Sequence, residues 1–186
     1  MIPKVAQPHY VKKVAIVGVE STAKTTTTIS LANLFNTNFV EEYGRLRCIE
    51  LGNGSELLQD YNYQEFVMGQ KHEEYRKVLD ANKVMFIDSE AVVSQYYAKM
   101  YQGHELPFIE GIIDTQDYDL YIYLENDVDW VDDGLRTFSD TETRNTTNDI
   151  LKGMFKERGI EVVTVKGNYQ ERLNQCIKLV NELLNK

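Results

Sequence analysis

The sequence predicts an α/β fold in which a parallel sheet of five short strands carries helices on both faces. Three observations support this. Strand-like apolar runs occur at 14–17, 38–41, 83–88, 120–125 and 160–165, and a helical pattern follows each. The intervening stretches are long enough for the crossovers that parallel neighbours require, and such crossovers are right-handed. At 186 residues the chain suits one domain with at most a small lid.

The first strand, Val14-Ala15-Ile16-Val17, runs into Gly18-Val19-Glu20-Ser21-Thr22-Ala23-Lys24-Thr25-Thr26. A phosphate-binding P-loop has glycine, four residues, then Gly-Lys-[Ser/Thr]. Its backbone N–H groups wrap the phosphates, the lysine reaches them and the hydroxyl binds Mg²⁺. Gly18, Lys24 and Thr25 fit, whereas Ala23 stands where a second glycine is expected. A Cβ there crowds the phosphate or strains the turn. The context supports the loop all the same, because a helical pattern with Ile29, Leu31, Ala32, Leu34 and Phe35 follows. The alternative, an ordinary strand-to-helix connection, leaves Lys-Thr at the helix start unexplained. Candidate nucleotide contacts are therefore Gly18, Glu20, Ser21, Thr22, Ala23, Lys24, Thr25 and Thr26.

The remaining elements follow in order. Residues 1–11 hold two prolines and no periodicity, and read as an arm. The second strand ends in Glu41-Glu42-Tyr43-Gly44-Arg45, a polar cluster at the carboxyl rim where open α/β sheets bind ligands. A weak helix over 45–58 is broken by Gly52-Asn53-Gly54. A longer helix over 61–81 offers Phe66, Met68, Tyr75, Val78 and Leu79 as an apolar face, with Tyr61, Tyr63 and Tyr75 as candidates for a ring-binding wall. The third strand, Lys83-Val84-Met85-Phe86-Ile87-Asp88, has the form of a Walker B segment, whose acid sits beside Mg²⁺ or the attacking hydroxyl. Helices over 91–101 and 108–116 flank a loop with His104, which lacks a Ser or Cys partner nearby and reads as structural.

After the fourth strand, residues 126–145 are polar and carry Trp130, Arg136 and Arg144. A long segment of this kind suits a lid whose arginines neutralise phosphoryl charge and whose closure excludes water. The competing reading pairs both arginines with local aspartates. Thr146 or Thr147 is expected to cap a helix to 158, Gly159 to end it, and a last helix over 169–184 to dock through Leu173, Ile177, Val180, Leu183 and Leu184.

Composition narrows the partners. Lys plus Arg total 20 against 29 Asp plus Glu, a formal charge of −9 that disfavours a broad nucleic-acid or acidic-membrane surface. Cys48 and Cys176 have no metal-ligand or disulfide-framework spacing. No apolar run of about 18 residues and no signal-peptide core is visible, so a cytoplasmic location is expected. A homo-oligomer stays compatible with the sequence.

A P-loop, the Glu41-Glu42 rim, Asp88 and an arginine-bearing segment on one sheet edge suit phosphoryl transfer from ATP to a small acceptor. The chain also resembles a known family. Gly18 to Thr26, Phe35-Asn36-Thr37, Glu42-Tyr43-Gly44-Arg45, Phe86-Ile87-Asp88, Leu124-Glu125-Asn126 and Trp130-Val131-Asp132-Asp133-Gly134-Leu135-Arg136 are similar to the ribosylnicotinamide kinase domain of the NadR family. The Glu-Tyr-Gly-Arg and Trp-Val-x-Asp-Gly-x-Arg blocks are far more specific than any P-loop.

The resemblance implies a P-loop kinase fold with sheet order 2-3-1-4-5, an arginine-bearing lid, and ATP-dependent phosphorylation of the 5′-hydroxyl of nicotinamide riboside. It implies Lys24 on the phosphates, Thr25 on Mg²⁺ and Arg136 on the lid; Arg144, read from the polar segment and not from the resemblance, is a second candidate nucleotide contact. Asp88 or Glu42 orients the acceptor hydroxyl while the other binds ribose or metal-bound water. Asp88 is also a candidate metal ligand, and Tyr43, Arg45 and Trp130 are candidate acceptor contacts. Full-length NadR proteins carry further domains, so the chain resembles a stand-alone kinase module. Two other readings stand beside it: a kinase of a different nucleoside or small hydroxyl compound, and a nucleotide-binding regulatory module whose P-loop is weakened by Ala23.

Overall fold

A computed structural model describes residues 11–52, 58–132, 134 and 136–185. The expected N-terminal arm up to residue 10, Asn53-Gly54 of the predicted turn, and Asp133 and Leu135 of the tryptophan-containing block lie outside the described residues. Five parallel strands, β1 (Lys12–Val17), β2 (Phe39–Val40), β3 (Val84–Asp88), β4 (Leu120–Leu124) and β5 (Val163–Val165), form one sheet in the order β2-β3-β1-β4-β5. This is the order that the family resemblance implied. β1 is central, and its alternate side chains feed two cores: Ala15 and Val17 one face, Val14 and Ile16 the other. A strand covered on both faces needs a continuous apolar run, which explains why β1 reads that way.

The helices are α1 (Lys24–Leu34), α2 (Tyr43–Leu51), α3 (Asp60–Lys77), α4 (Ala91–Gln102), α5 (Pro107–Ile113), α6 (Thr141–Glu157) and α7 (Tyr169–Leu184). One face of the sheet packs on α3, α4 and α6, and the other on α1 and α7. Gly52, at φ 65°, ends α2 as expected of a turn glycine.

Three expectations need correction. α6 begins at Thr141 and is capped by Asp140, whose carboxylate accepts the Thr143 N–H, so Thr146 and Thr147 lie inside the helix. The irregular part of the expected lid is therefore shorter than 126–145. On α1, Ile29 and Leu34 face solvent, because Lys24, Thr27 and Thr28 share the buried stripe with Leu31 and Ala32. On α3, Met68, Tyr75 and Leu79 are exposed, while Tyr63, Phe66, Val67, Gln70 and Glu74 turn inward. Of these inward polar residues, Lys24 and Gln70 border the cleft. α7 docks as expected, with Val180 buried and Leu173, Ile177, Leu183 and Leu184 packed around it.

Candidate functional site

The carboxyl ends of β1 and β3 lie side by side, with Ile16 paired to Asp88 in register. This register carries the P-loop and the strand-end acid to the same place. Gly18 adopts φ 147°, and a Cβ there would lie 2.7 Å from the Leu124 carbonyl oxygen, so only glycine fits. Ser21 and Ala23 also hold positive φ, 58° and 67°. Ala23 thus occupies the left-handed region that a second glycine would reach freely, and it stands as the residue before α1. The loop keeps its course without the glycine.

The loop opens into a cleft of about 1170 Å³ of open space, walled also by Glu42, Arg45, Tyr63, Ser89, Tyr97 and Arg136. Lys24 is buried and donates to the Val19 carbonyl at 3.0 Å. Thr25 Oγ1 donates to Asp88 Oδ2 at 2.5 Å, and Asp88 Oδ1 is buried without a hydrogen-bond partner among the described residues. Burial pushes the Asp88 carboxyl up to about 7; Glu42 adds to this, and Lys24, Thr25 and Arg45 oppose it. Glu42, Asp88, Lys24 and Arg45 therefore share one electrostatic neighbourhood. A hydroxyl and a carboxylate oxygen beside a lysine are hard oxygen donors that fit Mg²⁺, which is typically held by one or two protein ligands plus phosphates and water.

Residues 130–131 and 136–138 are fastened across the loop. The Glu20 carboxylate accepts N–H bonds from Thr137 at 3.1 Å and Phe138 at 2.6 Å, and from Trp130 Nε1 at 3.4 Å. Ser21 Oγ accepts the Val131 N–H at 2.8 Å and Arg136 Nη1 at 3.1 Å. Arg136 is thereby brought to the P-loop wall. Glu20 and Ser21 are expected from the motif to contact nucleotide, yet their side chains face this segment, which leaves only their backbone groups for phosphate.

Other candidates lie elsewhere. The Arg144 guanidinium donates to the Val128 carbonyl at 3.0 Å and is not part of the cleft wall. The Tyr43 ring packs against Gly69, where an added Cβ would lie 2.3 Å from it, so Tyr43 joins α2 to α3 instead of lining the cleft. Trp130 sits against Glu20 and does not line the cleft. Tyr61 and Tyr75 point outward at 67% and 76% exposure, and of the three tyrosines considered only Tyr63 reaches the cleft.

Several contributors were missed. Glu90 caps α4 by accepting the Val92 and Val93 N–H groups and lines the cleft. Burial pushes its carboxyl up to about 7 against those bonds, Gln116 and Lys71. Tyr97 and Tyr101 stack at 6.3 Å between centroids, and Tyr101 stacks on Phe138 at 5.7 Å, joining α4 to the residues that Glu20 holds. Their spacing on α4 is i, i+4, a signal the sequence did carry. His104 bonds Asp60 and the Gln102 carbonyl at the surface, in line with a structural role. Both cysteines are buried free thiols, with Cys48 on the cleft wall. Among the described residues no helix is long and apolar enough to cross a membrane.

Comparison with known proteins agrees with this arrangement. A protein family described as AAA domain (AAA_28) matches residues 13–172. The chain belongs to this AAA domain family. It is also homologous to NadR proteins. It is 40% identical over 98% of its length to the "Trifunctional NAD biosynthesis/regulator protein NadR" of Salmonella typhimurium, and 39% identical over the same share to the Escherichia coli protein of that name. It spans 45% of each of those relatives, so roughly half of their length has no counterpart here. A NadR structure in complex with NR superposes with a TM-score of 0.83 at 28% identity, over 96% of this chain and 53% of that one. A second NadR structure, in complex with NAD and AMP-PNP, gives 0.80 at 26% identity, over 96% of this chain and 51% of that one. Thymidylate kinase from Ehrlichia chaffeensis, at 0.61 and 15% identity over 94% and 98% of the two chains, shares the fold. The AAA domain chain thus has the P-loop architecture of nucleoside and nucleotide kinases.

Proposed function

We propose that this chain is a kinase that transfers the γ-phosphoryl group of ATP to the 5′-hydroxyl of nicotinamide riboside. The observation that carries the reading is the junction of Lys24, Thr25 and Asp88 with an aromatic and acidic cleft in a chain homologous to NadR over 98% of its length. A new bond forms between the 5′-oxygen and the γ-phosphorus, the bond to the bridging oxygen breaks, and ADP leaves with the electron pair. The hydroxyl proton passes to a carboxylate. Nicotinamide mononucleotide and ADP are the products.

The transition state of such a transfer is loose, so positioning and charge neutralisation supply most of the acceleration. The loop amides and Lys24 hold the phosphates, and Arg136, fixed through Ser21, meets the charge on the transferred group. Thr25 and Asp88 would hold Mg²⁺, which would neutralise charge on the phosphate oxygens. The unpartnered Asp88 Oδ1 and the Glu42 carboxylate on the cleft wall are the acceptors for sugar hydroxyls. Tyr63, Tyr97 and Tyr101 offer aromatic faces, and Glu42 and Glu90 negative charge, to a cationic pyridinium ring.

Incubation with ATP, Mg²⁺ and a panel of nucleosides tests the reading. Formation of nicotinamide mononucleotide with kcat/KM at least about tenfold above any other nucleoside is the expected result. Phosphorylation of a different nucleoside with none of nicotinamide riboside would sink the acceptor assignment and keep the kinase.

A further inference from the structure

Arg172 lies on α7 and has no exposed surface. Its Nε donates to the Gly167 carbonyl at 2.8 Å, Nη1 to the Thr22 carbonyl at 2.9 Å, and Nη2 to the Glu125 carbonyl at 2.6 Å and to the Asp127 carboxylate. Asp127 also accepts the Gly167 N–H at 2.7 Å. One planar fork thus joins the P-loop, the end of β4 and the turn into α7. Arginine suits such a junction because its donors are rigidly directed.

The bond to Thr22 matters because of the residue that follows. The Thr22 carbonyl and the Ala23 N–H belong to one trans peptide, so they point in opposite directions. With the carbonyl held by Arg172, the N–H is aimed away from α7. Thr22, Ala23 and Lys24 are all part of the cleft wall. Ala23 itself is held at φ 67°, where an L-residue is disfavoured about 5- to 30-fold. Relaxation of Ala23 to negative φ rotates this peptide and breaks the bond to Arg172.

We propose that Arg172 is a positioning residue for the phosphate-binding loop. By holding the Thr22 carbonyl, it keeps Ala23 in the left-handed conformation and its N–H turned toward bound phosphate. The inference rests on the nucleotide reading of the loop. It explains how the chain keeps the loop's course without the second glycine: the bias that glycine would supply locally comes from a side chain 150 positions away.

A double-mutant cycle tests it, with ADP as the probe and calorimetric affinity as the readout. The four proteins are the parent chain, Arg172→Lys, Ala23→Gly and the double variant. Lysine keeps the charge beside Asp127 but lacks the fork. The expected result is an ADP affinity loss of at least about fivefold for Arg172→Lys with Ala23 in place, and under about twofold in the Ala23→Gly background. Equal losses in both backgrounds would mark a general brace and overturn the proposal while leaving the nucleotide reading intact. A parent chain that fails to bind ADP would overturn both. Should Arg172→Lys not fold, Asp127→Asn takes its place in the cycle, since it alters the same junction from an exposed position; the same pattern is expected, and equal losses again overturn the proposal.

Discussion

The two halves of the cleft are built on opposite principles. The nucleotide half is made of backbone, and side chains from distant elements fix it: Glu20 holds Trp130, Thr137 and Phe138, Ser21 holds Arg136, and Arg172 holds Thr22. The acceptor half is made of side chains at the end of β3 and on α2, α3 and α4, and it keeps polar atoms unused. Asp88 Oδ1, Ser89 Oγ and Tyr63 Oη are buried with no hydrogen-bond partner among the described residues. Buried polar atoms without partners are uncommon and concentrate where a ligand supplies them. A phosphate tail is shared by many reactions and needs only a rigid loop. A particular nucleoside needs open hydrogen-bonding capacity.

This contrast predicts separable phenotypes. Asp88→Asn is expected to lower kcat about 10³-fold while leaving Mg²⁺-free ADP affinity within about threefold. Lys24→Met is expected to lose ADP affinity as well, because its ammonium is the local phosphate charge. Steady-state kinetics with calorimetry distinguishes them; an Asp88→Asn protein that loses ADP binding as severely as Lys24→Met would erase the division between the halves.

The acceptor half also makes the nucleotide-free protein sensitive to pH. Burial raises the Glu90 carboxyl from its ordinary 4.5 to about 7. Between these values the folded state holds a proton that the unfolded chain has released, so stability falls as pH rises through this window. The full effect for one such group is about 3 kcal/mol at most. Urea unfolding of the nucleotide-free chain from about pH 4.5 to about pH 8 should show the decline, and Glu90→Gln should flatten part of it. An unchanged slope in Glu90→Gln would mean that Glu90 is ionised in the fold. In the nucleotide half, Glu20→Gln weakens the charge-assisted bonds to Thr137 and Phe138 and is expected to raise the KM for ATP about tenfold with a smaller change in kcat.

Legibility in the sequence also divides along this line. The strands, their parallel pairing and the meeting of Lys24, Thr25 and Asp88 were readable because they follow from hydrophobic runs and from a motif whose mechanism lies in the backbone. The boundary at Asp140 was missed because the helix-capping carboxylate sits among other acids with no contrast in composition. The buried sides of α1 and α3 differ from the apolar periodicity because Thr27, Thr28, Gln70 and Glu74 are turned inward beside the apolar residues. Tyr43 illustrates a further limit. A tyrosine in a family-like block reads as a ligand contact, but Gly69, 26 residues on, offers the flat surface its ring covers. Arg172 was invisible for a similar reason: three of its four partners are carbonyls, which carry no sequence identity, and the fourth, Asp127, lies 45 residues away.

The smallest predicted effect bears on the sharpest irregularity of the sequence. Ala23→Gly removes the penalty of holding a Cβ at φ 67°, about 1 kcal/mol, but frees the unfolded chain, which loses a comparable fraction of that gain. Net stability by urea unfolding is therefore expected to change by less than about 1 kcal/mol. ADP affinity, which depends on the population of the correct loop conformer, should change by no more than about twofold while Arg172 is present, because the guanidinium already enforces that conformer. A glycine variant that binds ADP about tenfold tighter would show that Ala23 leaves the loop mostly in another conformation. The regulatory-module reading would then regain its footing, and the rigidity assigned to the nucleotide half would fail at the residue where it is most needed.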